Sequence, residues 1–449
     1  MKIHFLGIGG SGASAAAAIA QAQGYEITGC DLEPNNKFTL HIGSVKLEKG
    51  HSASHIGSGK VDILAVTPAI FSLDPNNSEL LAAKEKKIPV ITWQQFVGEY
   101  LTNDKFVIAV CGTHGKTTTT AMIAQMLEDA NLDPTVLLGA IHPKWGTNYR
   151  IQRQTTNGRG YFAIEADEFN DNFLHLKPDI TVVTNIEMDH PEYFKDFESY
   201  KESFEKFLLQ SKQTIVANLS DSNVAEVVKH VMKTPRQKHS DHDDFVQYLD
   251  YSRNELHFPM QIPGEFNKLN AQAAMQVGLL LEIDPQTIRQ SLQNYSGVGR
   301  RFEYLGDYNN AKVYSDFGHH PTEIKVTMEA ARQKFPNNRI ILIYEPHMFS
   351  RTKALFDDFV KVFKELPVDK IIITDIYPSR EVDTGLVNSQ QLVESINSEV
   401  VPKVRNSVKM VPINQILNEV KAEVKNGDVV FFMGAGDIDK LPRKLVSSS

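Results

Sequence analysis

Cysteine is almost absent. The 449 residues hold two, Cys30 and Cys111, in no CxxC pair, which excludes a disulfide-stapled scaffold and predicts two reduced, buried thiols in a cytoplasmic protein. Long apolar runs are missing too: none approaches the roughly 18 residues that span a bilayer, so no membrane insertion is expected. The opening Met1-Lys2-Ile3-His4-Phe5-Leu6-Gly7 lacks the tripartite plan of a secretion signal and is expected to begin a strand. Positive charge is not in excess. Lys plus Arg total 47 against 55 Asp plus Glu, a formal charge of −8, without the basic face of a nucleic-acid binder. No repeat recurs at solenoid periods, and the nearest approach to low complexity is Ala15 to Ala18. What remains is an ordinary globular composition, 41% hydrophobic and 23% charged, at a length that suggests about three domains.

The chain reads as three α/β units, 1–102, 103–297 and 298–449. In the first, Lys2 to Leu6 is a short apolar run, a glycine-rich turn follows, and Ala13 to Gln23 has a helical pattern closed by Gly24. A second strand near Tyr25 to Gly29 leads to Asp31, and Val61 to Val66 supplies another before Thr67. The second unit opens with the strand Lys105 to Cys111, then a helix over Thr117 to Ala130 and strands at Tyr161 to Ile164 and Ile180 to Thr184. Alternation in Phe245 to Leu249 and Leu256 to Ile262 predicts antiparallel edge strands. The polar stretch before them, with His239, Asp241, His242, Asp243 and Asp244, fixes no ligands on one face and reads as a solvated loop. In the third unit strands are expected at 311–315, 339–344, 370–374 and 428–433. Leu355, Phe359, Val362, Phe363 and Leu366 there mark one buried face of a helix over Arg351 to Leu366.

Gly7, Gly9, Gly10, Ser11 and Gly12 lie between a strand and a helix, and Asp31 sits about where a dinucleotide fold keeps its ribose-binding acid. Alone, this says NAD and an oxidoreductase. The physics asks only for a diphosphate at a helix N-terminus, which a nucleotide sugar also carries. The sharper motif is Gly112-Thr113-His114-Gly115-Lys116-Thr117-Thr118, a shortened phosphate loop with Val110 where the longer form has its first glycine. Its amides would cradle phosphates, Lys116 would neutralise the β/γ oxygens and the Thr117 hydroxyl would hold Mg²⁺.

The strand 161–164 delivers Glu165-Ala166-Asp167-Glu168, and the strand 180–184 delivers Asn185, Asp189 and His190, at the carboxyl ends where parallel sheets bind ligands. Two such ends beside a phosphate loop point to a nucleotide and a divalent metal. In the third unit Asp316 to Glu323 and Glu345 to Thr352 each follow a strand. Singly, Asp316 or Thr322 reads equally well as a helix cap; with Arg301 they offer cations and hydrogen bonds to an anionic substrate.

These motifs, with Thr184-Asn185-Ile186-Glu187-Met188-Asp189-His190, Gly299-Arg300-Arg301-Phe302, Gly318-His319-His320-Pro321-Thr322-Glu323 and Gly434-Ala435-Gly436-Asp437-Ile438, follow in one order over almost the whole chain. Together they resemble the Mur ligase family of cell-wall peptide synthesis, and within it most of all the members that add L-alanine. The resemblance implies an N-terminal Rossmann-like domain, a central P-loop ATPase and a C-terminal Rossmann-like domain that closes over the amino acid. It implies ATP-dependent joining of L-alanine to the lactyl carboxylate of UDP-N-acetylmuramate through an acyl phosphate, in a cytoplasmic monomer or homodimer.

By the same resemblance Gly7, Gly9, Gly10, Ser11, Gly12, Asp31 and Thr67 bind the UDP-sugar, so the NAD expectation should fail. ATP falls to Gly112, Thr113, His114, Gly115, Lys116, Thr117, Thr118, Asn267, Asn270, Arg301 and Asp316. Thr117 and Glu165 are the implied ligands of a first metal and His190 of a second. His319 and Arg351 would turn their positive ends to the alanine and the reacting carboxylate. Three departures stand out. Phe169-Asn170 follows Glu168 where the family usually has Ser-Asp, a feature similar to ligases of whole murein tripeptides. Met348 replaces a common arginine, and Glu345 stands where Gln is frequent. The loss of one cation and of the usual residue after Glu168 also leaves open a nucleotide-binding protein without ligase activity.

Overall fold

The structure, a computed structural model, describes every residue except 44, 58, 154–157, 236–245, 380, 399–406 and 448–449. His239, Asp241, His242, Asp243, Asp244 and Phe245 therefore lie outside the described residues. The described residues form three sheets. The first contains β1 (Lys2–Leu6), β2 (Glu26–Asp31), β3 (Lys46–Lys49), β4 (Ile63–Val66) and β5 (Val90–Thr92) in the order β3-β2-β1-β4-β5. All its pairings are parallel. Because the chain leaves β1 for opposite sides of the sheet, the strand order reverses there, and a crevice opens at the carboxyl ends of β1 and β4.

The second sheet holds β6 (Lys105–Cys111), β7 (Thr135–His142), β8 (Thr147–Arg150), β9 (Gly160–Glu165), β10 (Ile180–Val183), β11 (Thr214–Ala217) and β12 (Gln247–Asp250), ordered β12-β11-β10-β6-β9-β7-β8. Among the described residues of this sheet only the β7–β8 hairpin is antiparallel. Its central strands are buried, β10 and β11 throughout and β6 from Val107 onward, as continuous apolar runs covered by helices on both faces should be. The third sheet contains β13 (Glu303–Tyr308), β14 (Ala311–Asp316), β15 (Ile340–Tyr344), β16 (Lys370–Ile373), β17 (Ser407–Met410) and β18 (Val429–Met433), ordered β13-β14-β18-β15-β16-β17. It is parallel apart from β13–β14. Alternate side chains of its strands feed two apolar clusters, one on each face.

Three expectations need correcting. β12 pairs with β11 in parallel, because the helix Ser222–Lys233 carries the chain back to the same end of the sheet. No strand forms over Leu256 to Ile262, where Pro259 has no N–H to give a ladder. The helix expected over Arg351 to Leu366 is two helices, Phe349–Ala354 and Phe356–Glu365, separated at Leu355.

The chain divides into two compact units. One comprises Met1–Met188, Asp196–Pro259 and Leu269–Tyr295 and carries the first two sheets; the other comprises Asp189–Lys195, Met260–Lys268 and Ser296–Ser449 and carries the third. Within the first unit the β7–β8 hairpin grips the helix Ser11–Ala22. The Asn148 amide donates to Ser11 O at 2.8 Å and to Leu138 O at 3.1 Å, and the Tyr149 hydroxyl donates to His41 O at 2.8 Å. Among the described residues no helix is long and apolar enough to cross a membrane.

Candidate functional site

β6 ends in Cys111, and the chain turns through Gly112 to Gly115 into the helix Lys116–Asp129. Gly115 has φ +85°, and a Cβ there would lie 2.6 Å from Asn270 Oδ1. Both its torsion and the approach of that buried amide therefore require glycine. The loop is fixed by the segment that follows β10. Asn185 Oδ1 accepts from His114 N at 2.9 Å, Thr184 Oγ1 donates to His114 O at 2.6 Å, and Thr113 Oγ1 donates to Glu187 O at 2.8 Å. His114 Nε2 lies 3.0 Å from Glu187 Oε2.

Lys116 Nζ donates to the carbonyls of Gly112 (2.6 Å) and Thr113 (3.0 Å) and pairs with Glu168 at 3.0 Å. Glu168 is fully buried and also accepts from the Tyr200 hydroxyl at 3.2 Å. The next residue, Thr117, donates from Oγ1 to Glu165 Oε2 at 3.0 Å, and Gly139 N donates to the other oxygen at 2.5 Å. The expected phosphate-binding lysine and the two expected metal ligands thus come together at the carboxyl ends of β6 and β9. A hydroxyl and a carboxylate side by side form a hard oxygen set that fits Mg²⁺. Glu168, Asn185 and Glu187 were visible as motif residues, but their work of pairing the lysine and holding the loop depends on strand adjacency.

At the first sheet, Asp31 Oδ2 accepts from Gly9 N at 2.9 Å and Oδ1 from Glu33 N at 2.9 Å. Asp31 therefore shapes the glycine turn with both oxygens. Thr67 follows β4 and lies against Gly7, and a Cβ on Gly12 would meet the Trp93 ring at 2.3 Å. The turn, Asp31 and Thr67 are gathered at the crevice of the sheet.

His190, Asn267, Arg301, Asp316, His319 and Arg351 belong to the second unit. Arg351 is 2% exposed, and its Nε and Nη2 both donate to Asp189 Oδ1, at 3.1 and 2.8 Å. Burial alone would raise the Asp189 pKa, but His190, Arg351, His319 and His320 hold it well below the carboxylate range. His190 has φ +56° and its Nδ1 lies 3.2 Å from Glu192 Oε1. Burial drives the His319 pKa down to about 4 against the pull of Glu323. His319 is thus neutral near pH 7, not the positive end that the sequence suggests.

Arg301 pairs with Glu323 at 3.4 Å and lies over the Phe317 ring. Both Asp316 oxygens accept backbone amides, from Gly318 and Phe302 at 2.8 Å each, and burial raises its pKa to about 6. Asn267 Nδ2 donates to Pro263 O at 2.7 Å. Met348 is buried with φ +68°, its amide donating to Tyr377 O at 2.8 Å. Glu345 is 1% exposed and accepts from Ile438 N at 3.1 Å; burial lifts its pKa to about 7.

Models of the Mur ligase family match three successive stretches: the family's catalytic domain at residues 2–105, the middle domain at 110–278 and the glutamate ligase domain at 300–436. The UDP-N-acetylmuramate–L-alanine ligase of Clostridium kluyveri is 36% identical over 97% of this chain and 96% of its own length. That of Aquifex aeolicus is 35% identical over 98% of this chain and 96% of its own. The crystal structure of UDP-N-acetylmuramate-alanine ligase MurC from Thermotoga maritima matches with a TM-score of 0.77 at 26% identity, over 100% of this chain and 99% of that one. A murein peptide ligase from Psychrobacter arcticus, 22% identical, shares the fold at a TM-score of 0.69 over 100% of this chain and 98% of its own. With a glycine turn, a phosphate loop and a third α/β sheet in this order and family matches in three successive stretches, the chain belongs to the Mur ligase family.

Proposed function

We propose that this chain is a cytoplasmic ATP-dependent ligase that joins L-alanine to the lactyl carboxylate of UDP-N-acetylmuramate, giving UDP-N-acetylmuramoyl-L-alanine, ADP and phosphate for peptidoglycan synthesis. The observation that carries the reading is a Lys116, Thr117 and Glu165 cluster on a phosphate loop, in a chain whose near-full-length relatives bear that ligase name. The domain division 1–102, 103–297 and 298–449 is part of the proposal; one sheet falls in each range.

The reaction has two steps. The lactyl carboxylate attacks the γ-phosphorus of ATP, ADP leaves, and an acyl phosphate forms. The alanine amine then adds to the acyl carbon, phosphate departs from the tetrahedral intermediate, and the nitrogen gives up a proton. Lys116 already sits among the carbonyls of its own loop. Phosphate oxygens would take the place of those partners, and its charge would stabilise the transferring phosphoryl group. Thr117 and Glu165 would hold Mg²⁺, which supplies charge neutralisation at the phosphates when bound. The glycine turn, with Ser11 and Thr67, would receive the UDP diphosphate at the start of a helix whose first turn has no acidic residue. Roles for His190 at a second metal, Asn267 and Asn270 near adenine, Arg301 and Asp316 at ATP, and Arg351 at the reacting carboxylate rest on the family motifs. His319, neutral, suits a hydrogen-bonding role toward alanine.

The test is an acceptor panel with Mg²⁺, ATP and UDP-N-acetylmuramate, comparing L-alanine, glycine, L-serine and the murein tripeptide. Phosphate release and an amide product are expected with L-alanine above the others. Preference for the tripeptide would move the chain to the murein peptide ligases, the reading that Phe169 favours. Binding of ATP without any amide product would leave a nucleotide-binding protein that has lost ligation. Tight NADH binding unaffected by UDP would return the chain to the oxidoreductases.

A further inference from the structure

Beneath the glycine turn, four side chains from four separate elements converge inside the first unit. His4 comes from β1, Cys30 from β2, His55 from the helix Ala53–Gly57 and Glu79 from the helix Ser78–Glu85. One ligating atom from each lies within 4.8 Å of all the others. Glu79 Oε1 lies 3.1 Å from Cys30 Sγ and 3.0 Å from His55 Nδ1, and Glu79 Oε2 lies 3.1 Å from His4 Nε2. His51 Nδ1 flanks the group, 3.3 Å from Cys30 Sγ. Tetrahedral zinc with bonds of about 2.0–2.3 Å separates its ligands by roughly 3.3–3.8 Å, slightly wider than these contacts, so the four side chains would part by a few tenths of an ångström to admit the ion.

We propose that His4, Cys30, His55 and Glu79 form a structural zinc site. Three observations carry it. The set is the mixed nitrogen, sulfur and oxygen shell that Zn²⁺ takes, and a thiolate with a carboxylate cancels its charge, so a neutral centre occupies the interior. His4 Nδ1 is 2.8 Å from Thr28 Oγ1, the outer hydrogen bond that fixes a ring with its other nitrogen toward a metal. His4 Nε2 and Glu79 Oε2 are buried and face each other at 3.1 Å, and each lacks another hydrogen-bond partner. An ion between them would ligate both without taking either atom from a third group.

Binding would transfer the thiol proton to solvent as the Zn–S bond forms, with no change of oxidation state. The consequence is mechanical. The Cys30 carbonyl accepts the amides of Gly7 at 2.9 Å and Ile8 at 3.1 Å, and Asp31 beside it holds Gly9. The ion would therefore brace the glycine turn from below. This inference stands on the first sheet alone and is independent of the ligase reading.

The test uses the full-length protein, stripped with a chelator and titrated with Co²⁺ alone. One Co²⁺ per chain with a near-ultraviolet thiolate-to-cobalt charge-transfer band is expected, a signature that oxygen ligands at Thr117 and Glu165 do not give. Cys30→Ser should abolish the band, Cys111→Ser should keep it, and His55→Asn should weaken Co²⁺ binding at least tenfold. Zn²⁺ should raise the Tm of the stripped wild type and not that of Cys30→Ser. If Cys30→Ser does not fold, His55→Asn, at the rim of the cluster, decides by affinity. Absence of the band in the wild type, or its survival in Cys30→Ser, overturns the proposal and leaves the four side chains as a hydrogen-bonded core network.

Discussion

Lys116 and Glu168 show how a cation on a phosphate loop is stored. The lysine is partly exposed, whereas the carboxylate it pairs with is fully buried, so removing the lysine strands a charge in the interior. Lys116→Ala is expected to abolish product formation and to lower unfolding free energy by about 3 kcal/mol. Adding Glu168→Gln should restore most of the stability and none of the activity, which denaturant melts and a phosphate-release assay would separate. Glu345 makes the opposite electrostatic statement. Its folded pKa, about 7, lies above the ordinary carboxyl value of 4.5, so the folded chain binds the proton more tightly. Stability should therefore be full below pH 4.5 and fall as pH rises through 7, by on the order of 3 kcal/mol. Glu345→Gln should flatten that slope; urea midpoints that keep the wild-type difference between pH 5 and pH 8 would refute it.

Elements matter chiefly through the ends they present. The helix Ser11–Ala22 is rich in alanine and is buried along most of its length, which lets it lie close to its neighbours. Its start is held by Asn148 on the edge strand β8. Replacing that amide frees the Ser11 carbonyl and the hairpin together, and Asn148→Ala is expected to cost about 1–2 kcal/mol. If the turn it steadies binds the UDP-sugar, KM for that substrate should rise several-fold with kcat little changed. Gly12→Ala should be harsher, because the new methyl would meet the Trp93 ring; a loss above about 2 kcal/mol is expected, read by thermal melts.

At the scale of the whole molecule, the first two sheets share one compact unit while the third has its own. Calorimetric unfolding is therefore expected to depart from a single two-state transition, with a van't Hoff enthalpy below the calorimetric one. Acid should weaken the first unit in a defined window. In the metal-free protein burial opposes ionisation of Glu79, yet His4, Cys30 and the Ser52 amide hold its pKa at about 2, below the ordinary 4.5. Its stabilisation is present above pH 4.5 and lost as pH falls toward 2. Glu79→Gln should remove that part of the acid sensitivity.

The sequence by itself determined the elements whose cause is local. Apolar runs that end in glycine turns became β1 and β6, and strands ending in carboxylates became β9 and β14, because period, turn chemistry and strand-end polarity act within a few residues. It also placed Lys116, Thr117 and Glu165 in one chemistry. Only the tertiary structure decided what depends on neighbours far along the chain. Glu168 pairs Lys116 from 52 residues away, Asn148 reaches Ser11 across 137, and Arg351 reaches Asp189 across 162. The parallel register of β12, the neutrality of His319 and the meeting of His4, Cys30, His55 and Glu79 are of the same kind. Burial and strand order set each of them, and neither is written in any short window of residues.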